Sequence, residues 1–529
     1  MTVASILLVG CIGKNNTNSD TGDIANTTYS VSGTVVDLKG NGVSNVLLNI
    51  DGVDVVVTSD ADGNWALHNI EGEIIIKPVL DQWVFKPSHL TIDKKTNNII
   101  FTGEPTFSIQ NLIDSADGGD TIIIPPGNYY ENIDFKGKNI IVQSIDPFDP
   151  RIVASTVISG DGRGPVVTFR NGEDEMTSIS GFTLKNGFGK HLEGFYCGGG
   201  VYIENSSPTI SNNLILDNWA ERGSAIYVYG LNSSPEITEN TISRNRGEEG
   251  VVYYSSQFEN NKVVKVYHNV ISDNQSYGVI AKYPKELRIE NNEISRNDGG
   301  IALSSSNREA VNIESNIIQD NKKAGISVGI DVDSRYMSSI KGVIKDNILE
   351  GNSPALDLGF ATGHVDVIIS GNYFRSNYLE ADIWTEGGGA IYFGGRGPSG
   401  NLDVSIFVIN NTFEDNQSST DGGAIYFGHS YTFDSIIAKD NRFSNNSSKL
   451  NGGAIFTKGY PQLTSNYFNE NTSKRGGAIY LTDKIILLDN EFICNYAEEN
   501  GGAIYMTRTA SFDGENIWKD NLPADIYKE

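Results

Sequence analysis

The chain has 529 residues, with 66 acidic and 40 basic side chains and a formal net charge of −26. That length exceeds what one ordinary globular core fills, so two or more units are expected. The charge disfavours nucleic acid and an anionic membrane surface as partners, because either requires a cationic footprint.

An apolar run from Val3 to Ile12 is far shorter than the roughly 18 residues of a membrane span. It ends in Leu8-Val9-Gly10-Cys11, and the tract Gly13 to Thr28 that follows is rich in Asn, Thr, Ser and Asp. Such a tract buries too little apolar surface to fold and reads as a flexible tether over residues 1–28. From Tyr29 to about Gly103 the pattern becomes short β-prone runs, including Val31–Asp37, Val46–Ile50, Ile74–Ile76, Trp83–Phe85 and Leu90–Phe101. Their number and spacing predict a small β-sandwich over 29–103. Asp60, Asp62, Asn64 and Glu71 fall at positions 1, 3, 5 and 12 of a calcium-loop spacing. Position 6 is Trp65 rather than Gly, and a tight hairpin turn accounts for the same residues, so Ca2+ is the one cofactor weighed and none is required.

Phe107 to Ala116 predicts an amphipathic helix with Ile109, Leu112, Ile113 and Ala116 on one face, stopped by Gly118-Gly119. Short strands then begin at Thr121-Ile-Ile-Ile and Asn139-Ile-Ile-Val-Gln. Between Asn213 and Asn521 the chain writes Asn-x-(Ile/Leu/Phe/Trp)-x-x-Asn twelve times, at offsets of 23 to 39 residues. In phase with it, Gly-Gly-Ala-Ile occurs at 388–391, 422–425, 452–455, 476–479 and 501–504. A fixed period of this size predicts a stacked repeat over 104–529. The recurring Asn is expected to donate its side-chain amide to one neighbouring coil and accept from the other, and to supply left-handed backbone. Gly-Gly permits a turn where a Cβ would clash. Ile391, Ile425, Ile455, Ile479 and Ile504 are expected to form one inward column, and Phe374, Phe413, Phe443, Phe468 and Phe492 another.

These motifs carry four resemblances. Leu8 to Cys11 resembles a lipobox, which implies a lipid anchor on Cys11, although the segment before it is short and lacks a basic region. Ser32-Gly-Thr-Val, Gly42-Val and Thr58-Ser-Asp-Ala-Asp-Gly-Asn-Trp resemble the carboxypeptidase regulatory-like domain, which implies a spacer. The helix followed by Gly-Asp-Thr-Ile and Pro126-Gly-Asn-Tyr resembles the entry to right-handed parallel β-helices of the pectin-lyase-like superfamily. Gly-Gly-Ala-Ile with Phe-x-x-Asn resembles the repeats of the polymorphic outer-membrane protein family, best matched from Gly387 to Asn521.

The expected fold is therefore all-β: a right-handed parallel β-helix preceded by a small β-sandwich. Two functional readings stand. In the first, a cell-surface or secreted protein acts without catalysis in adhesion, glycan binding or envelope structure. Its candidate contacts are Trp384 and the aromatic residues that follow each column Ile, namely Tyr392, Tyr426, Tyr480 and Tyr505, which strand alternation turns away from the core. A stabilising ladder of half-buried tyrosines explains the same column. In the second, a polysaccharide lyase or glycoside hydrolase acts on an acidic polysaccharide. Its polar residues would come from the longest repeats: Asp357, His364, Asp366, Arg375, Glu380, Asp382, Trp384, Glu386 and Arg396.

Overall fold

The computed structural model describes residues 28–51, 55–81, 83–255, 263–305, 309–330, 339–360, 363–380, 386–395, 402–428, 435–508 and 511–529. Cys11, the tether, Asp382, Trp384 and Arg396 lie outside them.

Two four-stranded sheets form the N-terminal sandwich. One runs Asn64–Ile70, Tyr29–Asp37, Thr96–Pro105, Trp83–Lys86 and the other Val57–Thr58, Leu47–Asp51, Ile74–Val79, Leu90–Ile92. Val31, Val35, Leu48, Trp65, Ile76 and Phe101 fill the space between them. The Asp60 carboxylate accepts the backbone N–H groups of Asp62 (3.0 Å) and Asn64 (2.7 Å). That is the hairpin-turn use of the residue.

A helix, Ile109–Ser115, follows and plugs the first coil. Ile109 and Ile113 are buried, and Leu112 and Ala116 pack on the same core. Both helix ends are satisfied by the first coil. Glu131 accepts from Ser108 Oγ (2.6 Å) and from the N–H groups of Ile109 (2.9 Å) and Gln110 (3.0 Å). Lys138 Nζ donates to the carbonyls of Ile113 (2.9 Å), Asp114 (2.7 Å) and Ala116 (2.8 Å). A carboxylate at the positive end and an ammonium at the negative end is the favourable arrangement. A second, six-residue helix, Pro150–Ser155, has no counterpart in the sequence reading; Asp149 caps it and Pro150 opens it.

The remainder is a parallel β-helix. Three sheets of 15 strands each run its length, every coil giving one strand to each. At the ordinary strand spacing of about 4.8 Å the stack is on the order of 70 Å long. The first sheet carries the Phe column: Phe374, Phe413, Phe443, Phe468 and Phe492 are wholly buried, with successive ring centroids 4.7–4.8 Å apart and planes within 4°. The second carries Ile391, Ile425, Ile455, Ile479 and Ile504, also wholly buried. Both columns point inward.

Asparagines clamp coil to coil in two files, one for each Asn of the motif. Asn411 N–H (2.9 Å) and Nδ2 (3.1 Å) both donate to Asn441 Oδ1, while Nδ2 also donates back to the Ile369 carbonyl (2.8 Å). The same pattern recurs from Asn441 to Asn466 and from Asn466 to Asn490. One expectation is corrected. The left-handed backbone belongs not to the ladder Asn but to the residue before it, for example Asn410, Asp415, Asp440, Ser465, Glu470, Asp489 and Cys494, at φ of 52–55°. The Asn itself must keep its amide N–H and side chain aimed at the next coil.

The Gly-Gly pairs divide their labour. The first glycine takes positive φ, from +60° at Gly422 to +85° at Gly388. The second is crowded: a Cβ on Gly423, Gly453 or Gly477 would lie 2.1 Å from the carbonyl oxygen of the equivalent glycine one coil on.

Replacing Asn466 by Ala removes the Oδ1 that accepts from the N–H and Nδ2 of Asn441 and the Nδ2 that donates to the Ala438 carbonyl, so three buried bonds are lost, although Asn441 Nδ2 keeps its second bond to the Val408 carbonyl. At about 1–3 kcal/mol per unsatisfied buried group, Asn466→Ala is expected to cost at least about 3 kcal/mol in urea denaturation. Asn516→Ala, at a part-buried site in the last coil, is expected to cost less.

Candidate functional site

The tyrosine column lies on the outer face of its sheet, as alternation requires, yet it is not exposed. Tyr392, Tyr426, Phe456, Tyr480 and Tyr505 retain 8% accessibility or less and form a cluster of their own, with centroids 4.9–5.7 Å apart. Glycine backbone boxes the rings in. A Cβ on Gly387 would lie 2.8 Å from the Tyr426 ring, and one on Gly428 would lie 2.2 Å from it. The Tyr426 hydroxyl donates to Glu386, and Lys458 Nζ reaches both Glu386 and that hydroxyl at 3.0 Å. This corrects the sugar-docking expectation for Tyr392, Tyr426, Tyr480 and Tyr505: covered rings offer no face for a pyranose, and the column is a buried ladder. Trp384 lies outside the described residues.

Among the described residues, the polar side chains of the long repeats do not converge. Asp357 is buried on the second sheet beside Ser327 (3.5 Å), and His364 and Asp366 belong to the third. Arg375, on the first, is paired with Glu350 (2.5 and 2.6 Å). Among the described residues no group of three or more His, Cys, Asp or Glu side chains is placed to hold a metal ion. A cleft of about 690 Å³ between the sandwich and the first coils is lined by polar groups including Asn45, Asp62, Asn128, Arg151 and Lys185, and by no aromatic ring.

Exposed rings gather elsewhere, on a hairpin that interrupts the coil before Val201. Lys190–Leu192 pairs antiparallel with Phe195–Cys197. The hairpin is laid onto the following coil by bonds from Gly189 N to Trp219 O (2.9 Å), Arg222 N to Tyr196 O (3.0 Å) and Tyr196 N to the Glu221 carboxylate (2.7 Å). Phe188 and Trp219 hold equivalent places in adjacent coils, and their rings stack at 4.5 Å and 21°. Tyr196 stands edge-on to Phe188 at 4.9 Å and tilted to Trp219 at 5.6 Å. Trp219 and Tyr196 are each 36% exposed, several times the exposure of the ladder tyrosines. Behind them the Arg222 guanidinium lies 3.4 Å from the Phe195 ring centroid and bonds Glu249 at 3.0 Å, which Lys282 also reaches at 3.0 Å. The result is a preformed aromatic platform with its supporting charges paired. The sequence reading missed it, though Phe188-Gly-Lys-His-Leu-Glu-Gly-Phe-Tyr196 does stand out as an aromatic, glycine-flanked insertion.

Comparison with known proteins divides along the stack. Residues 173–402, which include the platform, match the family described as periplasmic copper-binding protein (NosD). Residues 412–428, 442–458 and 467–482 match the Chlamydia polymorphic membrane protein repeat. No curated protein matches the chain in sequence. Among solved structures, a mannuronic acid specific polysaccharide family 6 lyase from human gut microbiota is 14% identical, covering 77% of this chain and 88% of its own, with a TM-score of 0.38. The catalytic unit of a GH87 α-1,3-glucanase from Streptomyces thermodiastaticus strain HF3-3 is 12% identical, covering 94% of this chain and 86% of its own, with a TM-score of 0.31.

Copper prefers gathered imidazole and sulfur ligands, and the described residues of the NosD-matched stretch do not supply them. His191 pairs with Tyr196 and Cys197 with Lys190, so the two lie on opposite faces of the hairpin. Cys197 packs into the cluster of Tyr202, Tyr227 and Tyr253, where burial pushes its thiol up to about 11.

Burial, aided by the Glu529 carboxylate, raises Tyr505 to about 12, and burial likewise raises Tyr202, Tyr227 and Tyr426. A tyrosine in the unfolded chain ionises near pH 10. Tyr505's contribution to stability is therefore complete below that pH and is lost as pH rises through about 12, and those of Tyr202, Tyr227 and Tyr426, raised further by burial, are lost at higher pH still. In an absorbance titration, ladder phenolates are expected to appear only together with unfolding.

Proposed function

We propose that this is an envelope or cell-surface glycan-binding protein, in which the β-helix is a rigid mount and the Phe188–Tyr196–Trp219 platform docks sugar rings. The single observation that carries the reading is the exposed, prearranged aromatic group on a scaffold whose other aromatic columns are buried. Rings of this kind meet the apolar face of a pyranose while water keeps its hydroxyls, and little ordering is needed on binding. The family names attached to both matched stretches, one periplasmic and one a membrane protein, support a place in the envelope. The sandwich acts as a spacer, and a lipid on Cys11 ties the chain to the membrane. The rival reading, cleavage of an acidic polysaccharide, has no converging set of acid, base and cation among the described residues to support it.

Trp219→Ala is expected to weaken binding to a responsive glycan, found by array screening, by about tenfold or more, with only a small change in melting temperature. Unchanged affinity would remove the platform from the account. Separately, Cys11→Ser is expected to move the protein from the membrane fraction to the soluble fraction of its native host; retention in the membrane fraction would rule out the anchor.

A further inference from the structure

Beyond the aromatic pair, the same file of side chains continues for one more coil. Trp219 bridges to Arg246 in the next coil just as Phe188 bridges to Trp219. The turn is fixed there, since Arg246 N donates to the Asn218 carbonyl at 2.9 Å and the neighbouring Asn245 is a buried ladder residue. The Arg246 side chain is exposed and forms no ion pair or hydrogen bond among the described residues. Its neighbours are not so placed. Arg222 is held by Glu249, Arg244 by Asp217 at 3.1 and 3.0 Å, and Arg296 by Asp273 at 2.8 Å. In a chain carrying 26 more negative than positive charges, an uncommitted guanidinium in register with an exposed indole is a specific arrangement.

We infer that the platform is selective for sugars bearing a carboxylate, that is, uronic acid residues of an acidic polysaccharide. The pyranose ring lies on Trp219, and its carboxylate takes the Arg246 guanidinium, one strand spacing along the stack. A guanidinium presents two parallel N–H donors to a carboxylate, which a lysine cannot reproduce. The carboxylates nearby sharpen the selection. Glu221 is held by the Tyr196 amide, whereas Glu248, two residues from Arg246, is exposed. Their field disfavours a polyanion unless a cation meets its charge, so Arg246 decides between acidic and neutral sugars instead of adding equally to both.

This inference rests on the glycan-docking reading, and the experiment separates the two. The full chain, R246Q, R246K and W219A are titrated with galacturonate and glucuronate oligosaccharides and with the same oligosaccharides after reduction of their carboxyl groups. The wild type is expected to prefer the acidic forms. R246Q should lose about tenfold or more on the acidic forms and nothing on the reduced ones, with R246K intermediate, while W219A weakens both. Added salt should weaken acidic binding in the wild type more than in R246Q. Equal acidic binding by R246Q and the wild type, with W219A still impaired, would overturn the carboxylate inference and leave the platform standing. A wild type that prefers the reduced forms would do the same. A wild type that binds neither form would overturn the inference together with the platform. Because Arg246 is exposed, R246Q is expected to melt with the wild type, so a loss of binding is not a loss of fold.

Discussion

The amide clasp between successive coils is the interaction on which everything else in this molecule depends. A parallel stack already satisfies its strand backbones through sheet hydrogen bonds, but its corners turn inside the protein and would leave donors and carbonyls without partners. The asparagine files resolve this. One Oδ1 accepts both the N–H and the Nδ2 of the preceding coil, and Nδ2 donates again to a carbonyl on the other side. Each clasp fixes the rotation of one coil against the next, and that rotation sets the column register of Phe on Phe and Ile on Ile. Packing alone would tolerate a slip of one residue poorly; packing and clasp together forbid it.

Register has a backbone consequence. To aim both its N–H and its side chain at the next coil, each ladder Asn from Asn411 to Asn495 requires its predecessor to enter the left-handed region. Residues as unlike as Glu239, Arg244, His268 and Cys494 accept that conformation. It is unfavourable by roughly 1–2 kcal/mol for such residues, and the buried clasp outweighs it. The glycine turns complete the scheme, because their missing Cβ atoms let coils close to the strand spacing and form walls around the outer tyrosines. Such a rod has little freedom of its own, which makes it a suitable mount. The hairpin at 190–197 departs from it, and its backbone bonds to the following coil transfer the scaffold's rigidity to Phe188, Tyr196 and Trp219.

Much of this was readable from the residues, and the failures have physical causes. Period, sheet columns and clasp all follow from two motifs running in phase, because every coil repeats the same constraint, and the plug helix follows from its own apolar face of Ile109, Leu112, Ile113 and Ala116. The seat of the left-handed residue was not readable, since position and not residue type selects it. Alternation placed Tyr426 and Tyr480 on the correct side of their strand but could not reveal the glycine walls that cover them, which are a tertiary layer without a local signature. The helix Pro150–Ser155 is too short to show periodicity. The hairpin precedes Asn213, the first ladder residue, so the repeat offered no register that would tie Phe188 and Tyr196 to Trp219 as one group.

Hydrogen exchange at the ladder amides tests the central claim most directly. The N–H groups of Asn411, Asn441 and Asn466 donate to side-chain oxygens and not to a strand partner. They are predicted to exchange only with global unfolding, at rates matching the buried strands on either side. Fast exchange at these amides beside slowly exchanging strands would show that the asparagines merely occupy the corners, and would contradict the clasp as the element that sets the stack.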